Sequence, residues 1–168
     1  MKLTEIEGDL FSCEETFSLV QCVSKDLQMG KGIAVEFKQR FGCVDEAKAQ
    51  KADIGEVIDL KHGRRHLFYL VTKTKYNEKP TIVQMKQCLL NLRDRCLELG
   101  VNELAMPAIG CGLDELKWND VKEKINFAFG KTDITIQVYF LPGCLPKHPD
   151  SQQRRYIFIS MIKAFIEI

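Results

Sequence analysis

Apolar residues along this chain follow two rhythms, one short and continuous, the other recurring every three or four positions. Residues 3–7 and 17–23 (FSLVQCV) read as strands, the second largely buried. Residues 32–41 (GIAVEFKQRF) have helical spacing at Ile33, Phe37 and Phe41. Residues 56–60 and 66–72 flank the polar segment Lys61-His62-Gly63-Arg64-Arg65, which predicts a hairpin. Residues 81–99 form the longest helical segment; Thr81 follows Pro80, and Gly100 stands just past the end. Residues 103–106 (ELAM) read as a short strand stopped by Pro107. A helix over 116–129 precedes Gly130, and 134–140 (ITIQVYF) reads as a strand. Strands alternating with helices, with one antiparallel hairpin, predict an α/β sheet covered on both faces.

No repeat, low-complexity segment or linker precedes residue 142. Pro142, Gly143, Pro146 and Pro149 then interrupt the chain. Ile159, Ile162 and Ile166 lie near helical spacing within 156–168 and predict an amphipathic helix docked on the core; an added strand or a partner-binding helix are the other readings. The chain therefore reads as one domain over 1–141 with an extension over 142–168.

The net charge of +1 gives no long-range field for nucleic acid or an anionic membrane, so an anionic ligand must be held by local groups. The cysteine count is odd, at seven, with no C-x-x-C pair, which argues against a disulfide framework or a zinc site. The first residues are polar, and no apolar run approaches the ~20 residues of a membrane span. These features predict a reducing intracellular compartment, nuclear or cytoplasmic, without membrane association.

Ligands of open α/β sheets sit beyond the carboxyl ends of strands, and three segments there carry suitable chemistry. The first is Gly8-Asp9-Leu10-Phe11, where aspartate can accept a bond from an exocyclic amine, although Gly-Asp also suits an ordinary turn. The second joins a strand to a helix through Met29-Gly30-Lys31-Gly32-Ile33. Its glycines and the helix N-terminus can aim N–H groups at a diphosphate. It is neither a Walker loop nor the six-residue G-x-G-x-x-G fingerprint, since Val35 fills the last position. The third is Pro107-Ala108-Ile109-Gly110-Cys111-Gly112-Leu113-Asp114, again between a strand and a helix. Asp114 suits either a helix cap or a base that accepts a proton. Lys73 closes the apolar run 67–72; it is either a solvated lysine at a strand end or an amine held rigidly enough to act as a nucleophile. Lys75 and Lys79 read as solvated loop charges, and Trp118 as a packing anchor. Cys111 has no histidine at informative spacing and reads as a small residue in a crowded loop.

In combination these segments resemble the macrodomain family, in its branch of terminal ADP-ribose protein glycohydrolases, also described as O-acetyl-ADP-ribose deacetylases. The similarity runs from about residue 7 to 141 and rests on GDLF at 8–11, MGKGIAVEFKQRFG at 29–42, YLVTK at 69–73 and MPAIGCGLDELKW at 106–118. The resemblance implies a three-layer α/β/α fold around a mixed, mostly parallel sheet, with ADP-ribose across the strand ends. Asp9 and Leu10 match its adenine-side positions, and Ser24 a polar contact beside the distal ribose. Gly30, Gly32 and Ile33 belong to one diphosphate-facing loop; Ala108, Ile109, Gly110, Cys111, Gly112 and Leu113 belong to the other. Lys73 matches the lysine that attacks the anomeric carbon, and Asp114 the acid/base residue. Leu141 falls where shorter members of the branch end, close to the ligand, whereas this chain continues past it.

Many other macrodomain hydrolases use an asparagine and a run of glycines after the second strand; Ser24 and Met29-Gly30-Lys31-Gly32 stand here instead. The resemblance thus implies a lysine–ADP-ribose adduct, no metal and no cofactor. The expected partners are ADP-ribose, O-acyl-ADP-ribose and proteins ADP-ribosylated on acidic side chains, acted on by a monomer. Two rival readings are a reader module that binds ADP-ribose without chemistry and a hydrolase of ADP-ribosylated DNA.

Overall fold

The computed structural model describes residues 1–146. The expected helix over 156–168 and the basic residues Lys147, Arg154 and Arg155 lie outside the described residues. Six strands form one sheet: β1 (Lys2–Glu7), β2 (Ser18–Ser24), β3 (Val57–His62), β4 (Arg65–Lys73), β5 (Glu103–Pro107) and β6 (Thr135–Phe140), in the order β1-β6-β5-β2-β4-β3. Every neighbouring pair is parallel except β3 with β4. The helices are α1 (Ile33–Phe41), α2 (Val44–Ala49), α3 (Ile82–Leu99) and α4 (Trp118–Phe129). This is the expected α/β class, with a mixed, mostly parallel sheet between two helical layers.

Side chains alternate across the sheet, so the long apolar runs supply two cores at once. Phe68 and Leu70 of β4 join Leu104, Met106, Ile136 and Val138 on one face, where α3 and α4 pack through Met85, Leu89, Leu92, Ile125 and Phe129. Leu67, Tyr69 and Val71 of β4 point to the other face and meet Leu19, Phe37 of α1 and Ala47 of α2. Buried Met85, Cys88, Leu89, Leu92 and Cys96 form one stripe along α3. The Thr81 side chain accepts from the Gln84 N–H while Gln84 bonds back to Thr81, a reciprocal cap that fixes where α3 begins. Gly100 ends the helix in the left-handed conformation.

The larger differences from the sequence reading lie in the hairpin, in the last helix and in two short elements. The hairpin is tighter than expected, because Lys61 pairs with His66 and His62 with Arg65, leaving Gly63 and Arg64 as the turn. Gly63 has φ +61°, as the first central position of a two-residue hairpin requires. The last helix starts at Trp118, not at residue 116. Two short elements went unread: α2, and a single 3-10 turn over Leu10–Ser12.

Burial holds the thiols of Cys88 and Cys96 up to about 12, against an ordinary value of 9.0, and does the same for the Tyr69 hydroxyl. The folded chain therefore keeps protons that the unfolded chain releases above pH 9.0. Stability from these groups is complete below that pH and falls as pH climbs toward about 12. The urea midpoint is expected to drop between neutral pH and the alkaline range. A midpoint unchanged across that span would contradict this account.

Candidate active site

Parallel pairing puts the carboxyl ends of five strands on one edge of the sheet. From β1 to β4 there are four strand spacings, or roughly 19 Å at about 4.8 Å each. The loop after β2 turns to α1 on one face, and the loop after β5 turns to α4 on the opposite face. Because β2 and β5 are neighbours, the chain leaves them toward opposite faces, the topological switch point at which open α/β sheets form their binding crevice.

Lys73 ends β4 beside this crevice. The pairing of β2 with β4 runs Val23↔Val71 and then Ser24↔Lys73, so Thr72 is an extra residue and Lys73 is set opposite Ser24. Lys73 Nζ donates to Asp114 Oδ1 at 2.6 Å. Both side chains are only 14% exposed. The cap reading of Asp114 is excluded, since the residue ahead of α4 is Lys117 and no side chain caps that helix. Asp114 is held instead by the turns of its own loop, where Leu116 N–H bonds the Gly110 carbonyl at 2.8 Å and Glu115 N–H bonds Gly112 at 3.1 Å.

Each glycine loop has a distinct backbone logic. Gly32 has φ +62° and ψ −149°, a conformation essentially confined to glycine, and it directly precedes α1. No side chain caps α1, so its first N–H groups remain available to an anion. Leu27 and Met29 also have positive φ, at 50° and 49°, and their buried side chains anchor the loop in the core. Gly110 has φ +72°, and a Cβ there would lie 2.8 Å from Met85 Cε and 2.9 Å from Leu116 Cδ1. Gly30 and Gly112 differ: neither has the left-handed φ, and a Cβ would meet nothing within 4 Å. The fold itself does not demand glycine at these two positions. The two loops approach each other where Leu113 Cδ1 would stand 3.6 Å from a Cβ on Gly32.

The remaining residues singled out in the sequence divide into exposed and buried sets. Asp9 is exposed after β1, and its Oδ1 accepts from Phe11 N–H at 3.0 Å. Leu10 is 3% exposed and faces the core with Phe17 and Leu19, so its side chain is a packing group. Ile109 is likewise 2% exposed. Ile33 and Ala108 are half-buried, whereas Leu113 and Leu141 project into solvent. Ser24 is buried, and its hydroxyl donates to Asp26 Oδ1. Cys111 bonds the Ile109 carbonyl, and burial, helped by the Asp120 charge, pushes its thiol up to about 11. A protonated thiol is a poor nucleophile. His66 is engaged elsewhere, with Nδ1 2.7 Å from Asp59 Oδ1 in the hairpin.

Three groups escaped the sequence reading or depart from it. Lys79 is not a free loop charge: it donates to the Leu113 carbonyl and lies 3.7 Å from Glu115. Asp26 accepts from Ser24 on one oxygen and from Tyr76 N–H on the other, at 3.2 Å. Burial pushes its carboxyl up, but these bonds, one from Gln28 N–H and the Lys73 charge hold it below the ordinary value. Glu7 accepts from Gly143 N–H at 3.1 Å, within a turn closed from Cys144 N–H to the Leu141 carbonyl. Only tertiary pairing reveals these roles; in sequence Asp26 and Lys79 are polar loop residues and Glu7 is the last residue of a strand. Trp118 does anchor its loop, through Nε1 to Glu5 at 2.7 Å and an edge contact with Phe140.

Known proteins align with this arrangement. The chain is 46% identical over 140 residues to the ADP-ribose glycohydrolase OARD1 of Homo sapiens, covering 83% of this chain and 92% of that protein. The macrodomain of Mycobacterium tuberculosis DarG superposes with a TM-score of 0.75 at 28% identity, covering 86% of this chain and 98% of that one. Thermosipho africanus DarTG, solved in complex with ADP-ribose, gives 0.76 at 25% identity, covering 90% of this chain and 44% of that one. The Macro domain family matches residues 20–125, a span that holds the switch-point crevice, Lys73 and Asp114, and this chain belongs to that family.

Proposed function

We propose that this protein is an ADP-ribose glycohydrolase that releases ADP-ribose from carboxylate esters, on the acidic side chains of proteins or on small acyl groups such as acetate. The observation that carries this reading is the 2.6 Å contact between Lys73 Nζ and Asp114 Oδ1 at the crevice. At that separation the carboxylate is within reach of a proton of the ammonium, and its transfer during the reaction would leave an amine with a free lone pair.

The ligand would lie along the carboxyl edge, with adenine toward Asp9 and the distal ribose at Lys73. Its diphosphate would meet the N–H groups of the Gly30–Gly32 and Gly110–Gly112 loops, which supports a site for an anion without a cluster of basic side chains. The open space beside Gly30 and Gly112 fits a ligand brought close to the backbone.

Asp114 takes a proton from Lys73 and delivers it to the ring oxygen as the bond from that oxygen to the anomeric carbon breaks. The Lys73 nitrogen bonds the anomeric carbon and gives a second proton to Asp114, and its lone pair expels the carboxylate, which leaves with the electron pair and leaves an iminium. Water then adds to the same carbon, with its proton passed through Asp114 to the nitrogen, so loss of Asp114 stalls the adduct. The amine leaves, and the freed ribose hydroxyl closes the ring on that carbon to release ADP-ribose. Dividing one displacement into two easier ones is the gain of covalent catalysis, and a positioned base contributes roughly 10²–10⁴-fold.

The relatives named DNA ADP-ribosyl glycohydrolase, 29% identical over 147 residues in Mycobacterium tuberculosis, favour a second reading on ADP-ribosylated DNA. The net charge of +1 supplies no extended phosphate track and favours the protein or small-acyl carrier. Release measured in parallel from glutamate-modified protein, O-acetyl-ADP-ribose and modified DNA separates these carriers.

Asp114→Ala is expected to accumulate an ADP-ribose adduct on Lys73, visible by mass spectrometry, and Lys73→Ala is expected to abolish release. Undiminished turnover by Lys73→Ala would remove the amine from the mechanism; ADP-ribose binding without release by the unmodified chain would leave a reader module. Gly110→Ala is expected to destabilise the fold by about 2 kcal/mol, because left-handed strain adds to overpacking. Gly112→Ala is expected to leave the urea midpoint unchanged while weakening ADP-ribose in calorimetry. Equal urea midpoints for the two variants would refute this division of roles.

A further inference from the structure

The β-bulge creates a mechanical problem for the site. Thr72 is out of register, so the ladder between β2 and β4 loosens one residue before Lys73. Beyond it, Lys73 lies at the root of residues 74–79, the first part of the connection from β4 to α3. A nucleophile on a frayed strand end would swing away from Asp114.

Residues 74–79 are fastened at both ends. At the first end, Lys25 N–H bonds the Lys73 carbonyl at 2.8 Å and Asp26 N–H bonds the Thr74 carbonyl at 3.3 Å. The Asp26 carboxylate completes this tie with one oxygen for each loop. Its Oδ1 accepts from Ser24 Oγ and, at 3.4 Å, from Gln28 N–H on the loop after β2. Its Oδ2 accepts from Tyr76 N–H at 3.2 Å on the loop after β4. Glu78 folds the segment on itself by accepting from Thr74 and Lys75 N–H at 3.1 and 3.2 Å. At the far end, Lys79 Nζ donates to the carbonyl of Leu113, the residue before Asp114. The segment therefore ties the loops after β2, β4 and β5 into one frame, with Lys73 at its start and Asp114 beside its final fastening.

We propose that Asp26 and Lys79 are positioning residues: acting through the 74–79 strap, they set the Lys73 amine against the Asp114 carboxylate. The proposal rests on the glycohydrolase reading above, because its effect on turnover is read through that reaction. Neither residue needs to touch ADP-ribose. Asp26 acts on the Lys73 side of the pair and Lys79 on the Asp114 side, so loss of either loosens the same geometry.

The test compares Asp26→Ala, Lys79→Met and their double variant with the parent, full-length in each case. Each single variant is expected to lose about tenfold in kcat, since small misplacements of reacting groups are costly, while the calorimetric Kd for free ADP-ribose stays within about threefold. The double variant is expected to lose less than the product of the two, as groups that share one structural element do. Lys79→Arg, which keeps a donor for the Leu113 carbonyl, is expected to recover most of the rate. A merely structural role would lower the melting temperature without this split between kcat and binding, and without rescue by Arg.

A readout independent of turnover accompanies these. Labelling of Lys73 by dilute acetylating reagent, relative to exposed Lys131, is expected to rise by about threefold in Asp26→Ala as the pair loosens. If the parent releases no ADP-ribose, the glycohydrolase reading fails and the labelling ratio alone decides the strap. An Asp26→Ala variant with parental labelling and, where turnover exists, parental kcat would overturn the proposal.

Discussion

An ammonium and a carboxylate from residues 41 positions apart meet at 2.6 Å on one edge of a sheet, and most of the architecture can be traced from that constraint. Lys73 comes from β4 and Asp114 from the loop after β5, yet β4 and β5 are not neighbours. β2 runs between them. Each must therefore reach over the end of β2, which is followed by a loop with three residues at positive φ. Desolvation offsets much of the attraction within a mostly buried ion pair, so such a contact is a weak reason for stability. What the contact fixes is a distance, 2.6 Å, between an amine and a carboxylate.

The two layers of helices keep that distance rigid. Because apolar side chains leave both faces of β2, β4 and β5, each strand is pressed from two sides by close-packed groups. Gly110 shows how tight the packing is directly beneath the site, with Met85 and Leu116 occupying the room of a methyl group. Aspartate and lysine side chains on such a frame differ from the same groups on solvent-exposed loops, where several rotamers would dilute the productive one.

Much of this was legible in sequence. The strands followed from continuous apolar runs, and α3 from its Thr81 start and Gly100 stop. What stayed hidden depends on contacts between distant segments. α2 is six residues long with one buried side chain, Ala47, too little for a helical period to register. The bulge at Thr72 is a property of register against β2, and no local pattern announces it. Asp26 carries no sequence signal and Lys79 reads as a solvated loop charge, because their partners, Tyr76 and Leu113, lie 50 and 34 positions away. Leu10 and Ile109 show the converse: motif position suggested ligand contact, while their side chains are absorbed by the core. Lys73 and Asp114 were ambiguous as single residues; the family resemblance set them at one site, and strand order shows how they meet.

The same parallel arrangement gives the molecule two unlike ends. Met1 donates its amino group to the Thr132 carbonyl where the strands begin, while Gly143 is tied to Glu7 where they finish. A surface tether or fluorescent label joined at the amino terminus would thus sit a full strand length from the crevice, about 20 Å away for six residues. The turn over residues 141–144, tied to Glu7, lies at the opposite end, where the parallel strands finish.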